Sequence, residues 1–154
     1  MMSMKNRNQE EKMKITVENK EIINPKSISV HDGIIEKFEY HYTERICNIE
    51  ILNDCWNIRQ TFCIKNIILM HQQNCEFWGC SPHVHCWCYD EEQPFLKQLW
   101  IKQKSDKQFR FSLLEENPDI YFEHYFQFIS GNEILFICEE VEFYQYPYFK
   151  DKEV

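Results

Sequence analysis

In the stretch CEFWGCSPHVHCWCYD, residues 75–90, the thiols of Cys75, Cys80, Cys86 and Cys88 lie close in sequence to the imidazoles of His83 and His85. Thiols and imidazoles are the groups from which zinc sites are built. Zinc takes four such groups in a tetrahedron, commonly from two short clusters whose turns aim both members at one point. The spacing here does not supply two matched clusters. If residues 83–89 form a regular strand, alternation puts His83 and His85 beside Trp87 and Tyr89, with Cys86 and Cys88 opposite, beside Val84. One ion then cannot collect both pairs. A His-x-His half-site remains, in which His83 and His85 would be joined by His124, His71 or His41 from a neighbouring strand and by water. Cys75 and Cys80 could instead join Cys86 or Cys88 if the loop folds back. The competing reading makes Cys86 and Cys88 small buried hydrophobes and leaves the two histidines on a half-solvated face.

Other reactive types occur singly. His31-Asp32 invites comparison with metal-dependent phosphohydrolases, but those need further ligands on surrounding helices, and here a strand pattern follows. The pair is better read as a turn organised by the Asp32 carboxylate with Gly33. Cys80, between Gly79 and Ser81, has His83 or His85 nearby as a base, yet no helix start or positioned cation to generate a thiolate. His124 shares a strand face with Phe122, Phe126 and Phe128, which points to a hydrogen-bonded core histidine. Cys47 and Cys138 fall at apolar positions. Glu139, Glu140 and Glu142 suit either a binding surface or a solvated sheet edge. Tyr144 to Tyr148, YQYPY, suits a cover over a sheet end or an exposed aromatic patch. No catalytic residue is assigned.

The elements that must carry these groups are written in the alternation. Lys14 to Ile22 suits a short edge strand, preceded by a polar, mobile tail over residues 1–13, so the folded domain is expected over 14–154. Phe38, Tyr40 and Tyr42 recur at period two within Ile34–Tyr42. After a turn at Thr43–Arg45, Cys47, Ile49 and Ile51 do the same, followed by Trp56, Ile58, Gln60, Phe62 and Ile64. These spacings predict a three-strand meander. Pro94–Lys104 spaces Phe95, Leu96, Leu99 and Trp100 as a short helix would, in competition with a strand, and QFRFSLL at 108–114 alternates again. Tyr121–Ile129 and Glu133–Tyr144 flank Ser130-Gly131-Asn132, a hairpin connection in which the glycine can take positive φ. The fold class is therefore mainly β: an antiparallel β-sandwich or strongly curved sheet with one short helix.

Composition bounds the function. Of 154 residues, 44% are hydrophobic and 16% aromatic, enough for a core, and the absence of alanine favours strands over helix interiors. A net charge of -8 repels phosphate backbones, so nucleic acid is not expected as a partner, whereas a basic protein is compatible. No apolar run is long enough to cross a bilayer, and MMSMKNRNQEEKMK lacks the apolar segment of an export signal. A cytoplasmic protein with its eight cysteines reduced is the expectation.

Three segments, HDGIIEKFEY at 31–40, FWGCSP at 77–82 and EILFICEEVEF at 133–143, resemble a loose group of small bacterial proteins. In that group a His-Asp pair opens the first long strand, a Trp-Gly pair precedes a middle strand and a final strand closes the sheet. Their order spans roughly 110 residues, a domain-sized unit. The resemblance implies a β-rich fold and no specific reaction. With no nucleophile-base-orienter set or phosphate-cradling loop in the sequence, a non-catalytic binding protein with no cofactor is expected. Because some members of the group are thought to be immunity partners of secreted toxins, the resemblance implies that form of it. The group's pattern does not require the cysteines and histidines of residues 75–88. A zinc-binding domain or metal-dependent enzyme centred on His83 and His85 is the alternative.

Overall fold

A computed structural model describes residues 10–73, 83–105, 117 and 119–148. The strands are β1 (Glu11–Ile15), β2 (Ile34–His41), β3 (Ile46–Asn53), β4 (Ile58–Lys65), β5 (Leu69–Gln73), β6 (Val84–Cys88), β7 (Phe122–Phe128), β8 (Glu133–Cys138) and β9 (Glu140–Pro147), with one helix, α1 (Pro94–Ser105). They form two antiparallel sheets, a five-stranded one ordered β1-β9-β4-β3-β2 and a four-stranded one ordered β5-β8-β7-β6. The mainly β sandwich with one short helix is thus the observed architecture. Pro94–Lys104 is helical rather than extended, and the meander is β2, β3 and β4 in consecutive pairing.

The first strand and the run from Glu133 depart from the expected pattern. The pairing of Glu11, Lys12 and Met13 with Gln145, Tyr144 and Phe143 starts the first strand at Glu11 rather than Lys14, and a single 3-10 turn, Lys20–Ile22, replaces its expected end. The run Glu133–Tyr144 is two strands, not one. β8 lies in the four-stranded sheet and β9 in the other, with the crossing at Glu139. There the buried set shifts from Ile134, Phe136 and Cys138 to Val141 and Phe143, so the chain changes phase as it changes sheet. The β4–β5 connection crosses beside it. Asn66 Nδ2 donates to Glu139 Oε2 at 2.6 Å, and the Glu139 amide donates to the Lys65 carbonyl at 3.3 Å, tying the two crossings together.

Between the sheets Phe62 is the hub, with ring centroids 4.9 Å from Trp87, 5.2 Å from Phe126 and 5.2 Å from Phe143. A second apolar cluster, Leu96, Leu99, Tyr121, Leu135 and Ile137, lies where α1 covers the outer face of the four-stranded sheet. β8 is consequently buried on both faces, which is why EILFIC reads as an almost unbroken apolar run. The expected strand at 108–114 and the Trp-Gly segment at 77–82 lie outside the described residues.

Candidate functional site

The His31-Asp32-Gly33 segment forms a turn at the start of β2. The Gly33 amide donates to the Val30 carbonyl at 3.0 Å, and Asp32 takes the left-handed conformation, φ 65°. Gly33 is needed for space: a Cβ there would collide with Ile51 Cγ2 and lie 3.1 Å from the Val30 carbonyl oxygen. The turn docks on β6, with the Asp32 amide donating to the Val84 carbonyl at 3.0 Å and the Val84 amide to the Gly33 carbonyl at 2.8 Å. Buried Asn53 adds the β3–β4 turn, donating through Nδ2 to the His31 carbonyl at 2.8 Å and accepting from the Trp56 amide at 3.2 Å. The sequence reading did not single out Asn53. Its position at the end of β3, before Asp54, is a turn signal but carries no hint of the distant carbonyl it serves.

This docking brings His31 and His85 together. Their ring centroids are 5.5 Å apart in edge-to-face arrangement, and His31 Nδ1 lies 3.3 Å from the His85 carbonyl oxygen. His31 Nε2 lies 3.5 Å from Asp32 Oδ2. With Nδ1 donating to the carbonyl, the second nitrogen can donate to the carboxylate only when the ring is protonated. Both side chains are about half exposed, so the pair contributes little to stability.

The regular alternation expected over 83–89 does not occur. The register with β7 shifts between Val84, opposite Phe128, and Cys86, opposite Gln127, which makes His85 an extra residue in a β-bulge. The bulge turns Trp87 into the core on the same side as Val84, whereas His85 is exposed, so Trp87 does not accompany His85 as the simple pattern requires. Cys86 and Cys88 pair opposite Gln127 and Tyr125 on the outer face of the sheet. His83 is held through its backbone, bridging Ile34 and accepting from the Ile129 amide at 3.0 Å.

His124, the candidate third ligand, has both ring nitrogens engaged elsewhere. Its ring is fully buried in the core, where Trp87 Nε1 donates to Nδ1 at 2.9 Å and Nε2 lies 3.3 Å from Cys138 Sγ. Because Nδ1 accepts, the proton resides on Nε2 and points at the sulfur. Burial lowers the imidazole pKa to about 3 and raises the Cys138 thiol well above its ordinary value. The core-histidine reading is the observed one. Among the described residues no three His, Cys, Asp or Glu side chains converge as metal ligands, and Cys75 and Cys80 lie outside them.

A buried carboxylate escaped the sequence reading altogether. Glu123 Oε1 accepts from the Leu96 amide at 3.0 Å, and the Glu123 amide donates to Gln93 Oε1 at 3.1 Å. This reciprocal exchange caps α1 from a neighbouring strand, in place of the local Ser, Thr, Asp or Asn that usually does so. Burial nevertheless raises the Glu123 pKa, against the lowering by the Leu96 and Phe95 amides.

Glu140, Glu142, Tyr144 and Tyr146 lie on β9, between β1 and β4, so the acidic residues of that strand do not form a sheet edge. Glu140 meets Lys14 at 3.1 Å and Lys65 at 3.8 Å, and Glu142 meets Lys65 at 2.7 Å. Tyr144 and Tyr146 stack at 5.0 Å, and the Arg59 guanidinium sits 4.4 Å from the Tyr148 ring centre. An open depression of about 580 Å³ on this face is lined by Lys12, Lys14, Thr61, Cys63, Glu142 and Tyr144, among others. No described helix is long and apolar enough to cross a membrane. Comparison of the chain with protein-family models, curated proteins and solved structures found no match.

Proposed function

We propose that this chain is a non-catalytic binding protein of the immunity type, whose partner is a basic protein toxin. The observation that carries the binding role is where the reactive side chains go. His124 has both nitrogens engaged in the core, its Nε2–H donating to the Cys138 sulfur, and Glu123 caps a helix. What faces outward is charge and aromatic surface. α1 packs on the four-stranded sheet, and the outer face of the other sheet carries Tyr144, Tyr146 and Arg59, residue types enriched at interface centres. Glu44, Asp54 and Glu91 are exposed on turns, and such charges accelerate encounter with a cationic partner. The partner class rests on the resemblance of the three motifs to a group that includes immunity proteins.

Co-expression with a secreted toxin encoded beside it tests this reading. Growth should be restored, and the purified pair should associate about tenfold or more slowly as salt is raised from low to physiological levels. Continued killing, with no complex between the purified proteins, overturns it.

The alternative, a metal site centred on His83 and His85, is favoured by one contact, the approach of the His31 ring to the His85 ring. Elemental analysis of untagged protein separates the two. Stoichiometric zinc lost in His83→Ala and His85→Ala supports the metal reading, and substoichiometric metal indifferent to both substitutions removes it.

A further inference from the structure

Independently of the partner, the outer face of β6 holds a pair of thiols in close contact. Cys88 Sγ and Cys86 Sγ are 2.9 Å apart, and Cys86 Sγ is 3.5 Å from Gln127 Oε1. Tyr125 stands opposite Cys88, and its hydroxyl bonds to that thiol. We propose that Cys86 and Cys88 form a reversible redox site, a dithiol that a low-molecular-weight disulfide oxidises to an intrastrand bridge spanning Trp87.

The geometry sets both the order and the reversibility of the reaction. Cys88 is the more accessible sulfur, whereas Cys86 is only 8% exposed and its thiol is pushed up to about 12, first by burial and then by Cys88 and Glu133. Cys88 therefore attacks first, as thiolate, on one sulfur of R–S–S–R. An S–S bond forms to Cys88 and one RS⁻ leaves, taking up the proton that Cys88 released. Cys86 then attacks the Cys88 sulfur of the mixed disulfide, gives up its proton, and expels the second thiolate. In total two cysteine thiols lose two protons and two electrons, and the reagent is reduced to two RSH.

Residues two apart on a strand have Cα atoms about 6.5 Å apart, near the upper limit of about 6.8 Å for a disulfide. Such a bridge is strained, which places it among labile disulfides rather than permanent structural ones. Among the described residues β6 is the last strand of its sheet, with β7 as its sheet neighbour and the Asp32–Gly33 turn bonded to it only at Val84. It already carries a bulge, so its Cys86–Cys88 end can bend where a central strand cannot. Bending moves Trp87, whose ring stacks on Phe126 at 5.6 Å and donates to His124. Closure of the bridge is therefore read in the core.

The test equilibrates the full-length chain with mixtures of reduced and oxidised glutathione, followed by acid quench, alkylation and peptide mapping. The peptide containing Cys86 and Cys88 should lose two hydrogen atoms at oxidising ratios, regain them with dithiothreitol, and change tryptophan fluorescence over the same ratios. Cys86→Ser should stop at a glutathione adduct on Cys88, and Cys88→Ser should react at least about tenfold more slowly than wild type. The unsubstituted chain keeps the test decisive if either serine variant misfolds. There, free thiols at every ratio, glutathione adducts without an internal bridge, or a bridge from Cys86 or Cys88 to Cys75 or Cys80 each overturn the proposal.

Discussion

Trp87 Nε1 donates to His124 Nδ1 at 2.9 Å, joining β6 to β7 through two side chains that are both fully buried. The bond fixes the imidazole as the Nε2–H tautomer and directs that proton to Cys138. It exists because the bulge at His85 turns Trp87 inward. Replacing Trp87 by Phe keeps an aromatic ring but strands the Nδ1 acceptor and leaves space beside Phe62. We expect Trp87→Phe to lower unfolding free energy by about 2–4 kcal/mol in urea titrations, with an unchanged m value.

Acid should weaken the fold through the same ring. The pKa of His124 falls from 6.5 to about 3 on burial, so below the unfolded value the unfolded chain binds a proton that the native chain refuses. Stability from this group is complete above about pH 6.5 and declines as pH drops toward 3, by on the order of 4 kcal/mol across the window. Carbon chemical shifts of the ring should stay those of the neutral Nε2–H form down to about pH 4. Titration of that signal near pH 6 in the folded protein would contradict the assignment.

Gly33→Ala should cost about 1–3 kcal/mol by driving a methyl group into Ile51. The cause is checked by a double-mutant cycle. In the background of Ile51→Ala, which removes the obstructing Cγ2, the same glycine substitution should cost less than half as much. Equal costs in both backgrounds would place the origin elsewhere in the turn.

The cap on α1 predicts a local effect. Glu123→Ala should destabilise the protein by about 1–2 kcal/mol and speed hydrogen exchange at the Leu96 amide before it affects the β4 amides. Glu123→Gln keeps a carbonyl acceptor and should recover most of that protection. Uniform acceleration through β4 in the alanine variant would mean that Glu123 supports the sandwich as a whole.

Much of the architecture was legible because one buried sheet face imposes period two. β3 and β4 follow the alternation, and β2 does so only from Lys37 to His41, past a register shift after Ile35 and short of the exposed Tyr42. The hairpin at Ser130–Asn132 has Gly131 at φ 93° as its composition suggested. His124 was placed correctly for the same reason, since its phase matches Phe122 and Phe126. The split of 133–147 into two strands left a trace, the Glu139-Glu140 pair that breaks the alternation between Cys138 and Val141. The thiol and imidazole cluster was harder to read. A one-residue bulge has no compositional mark in HVHCWC, yet it reverses the face of every residue after it.

Residue type and order thus determined the strands, their inward faces and the single hairpin that glycine favours, because those properties depend on near neighbours and on the partition of apolar area from water. Tertiary structure alone decided how β1, β5, β6 and β9 join the two sheets, that Trp87 meets His124, that Glu123 caps a helix 27 residues away in sequence, and that Cys86 touches Cys88 on an outer face. Each of these depends on register between segments distant in the chain or on a local irregularity in pairing. Register is set by the packing of the whole core, and no short stretch of sequence contains it.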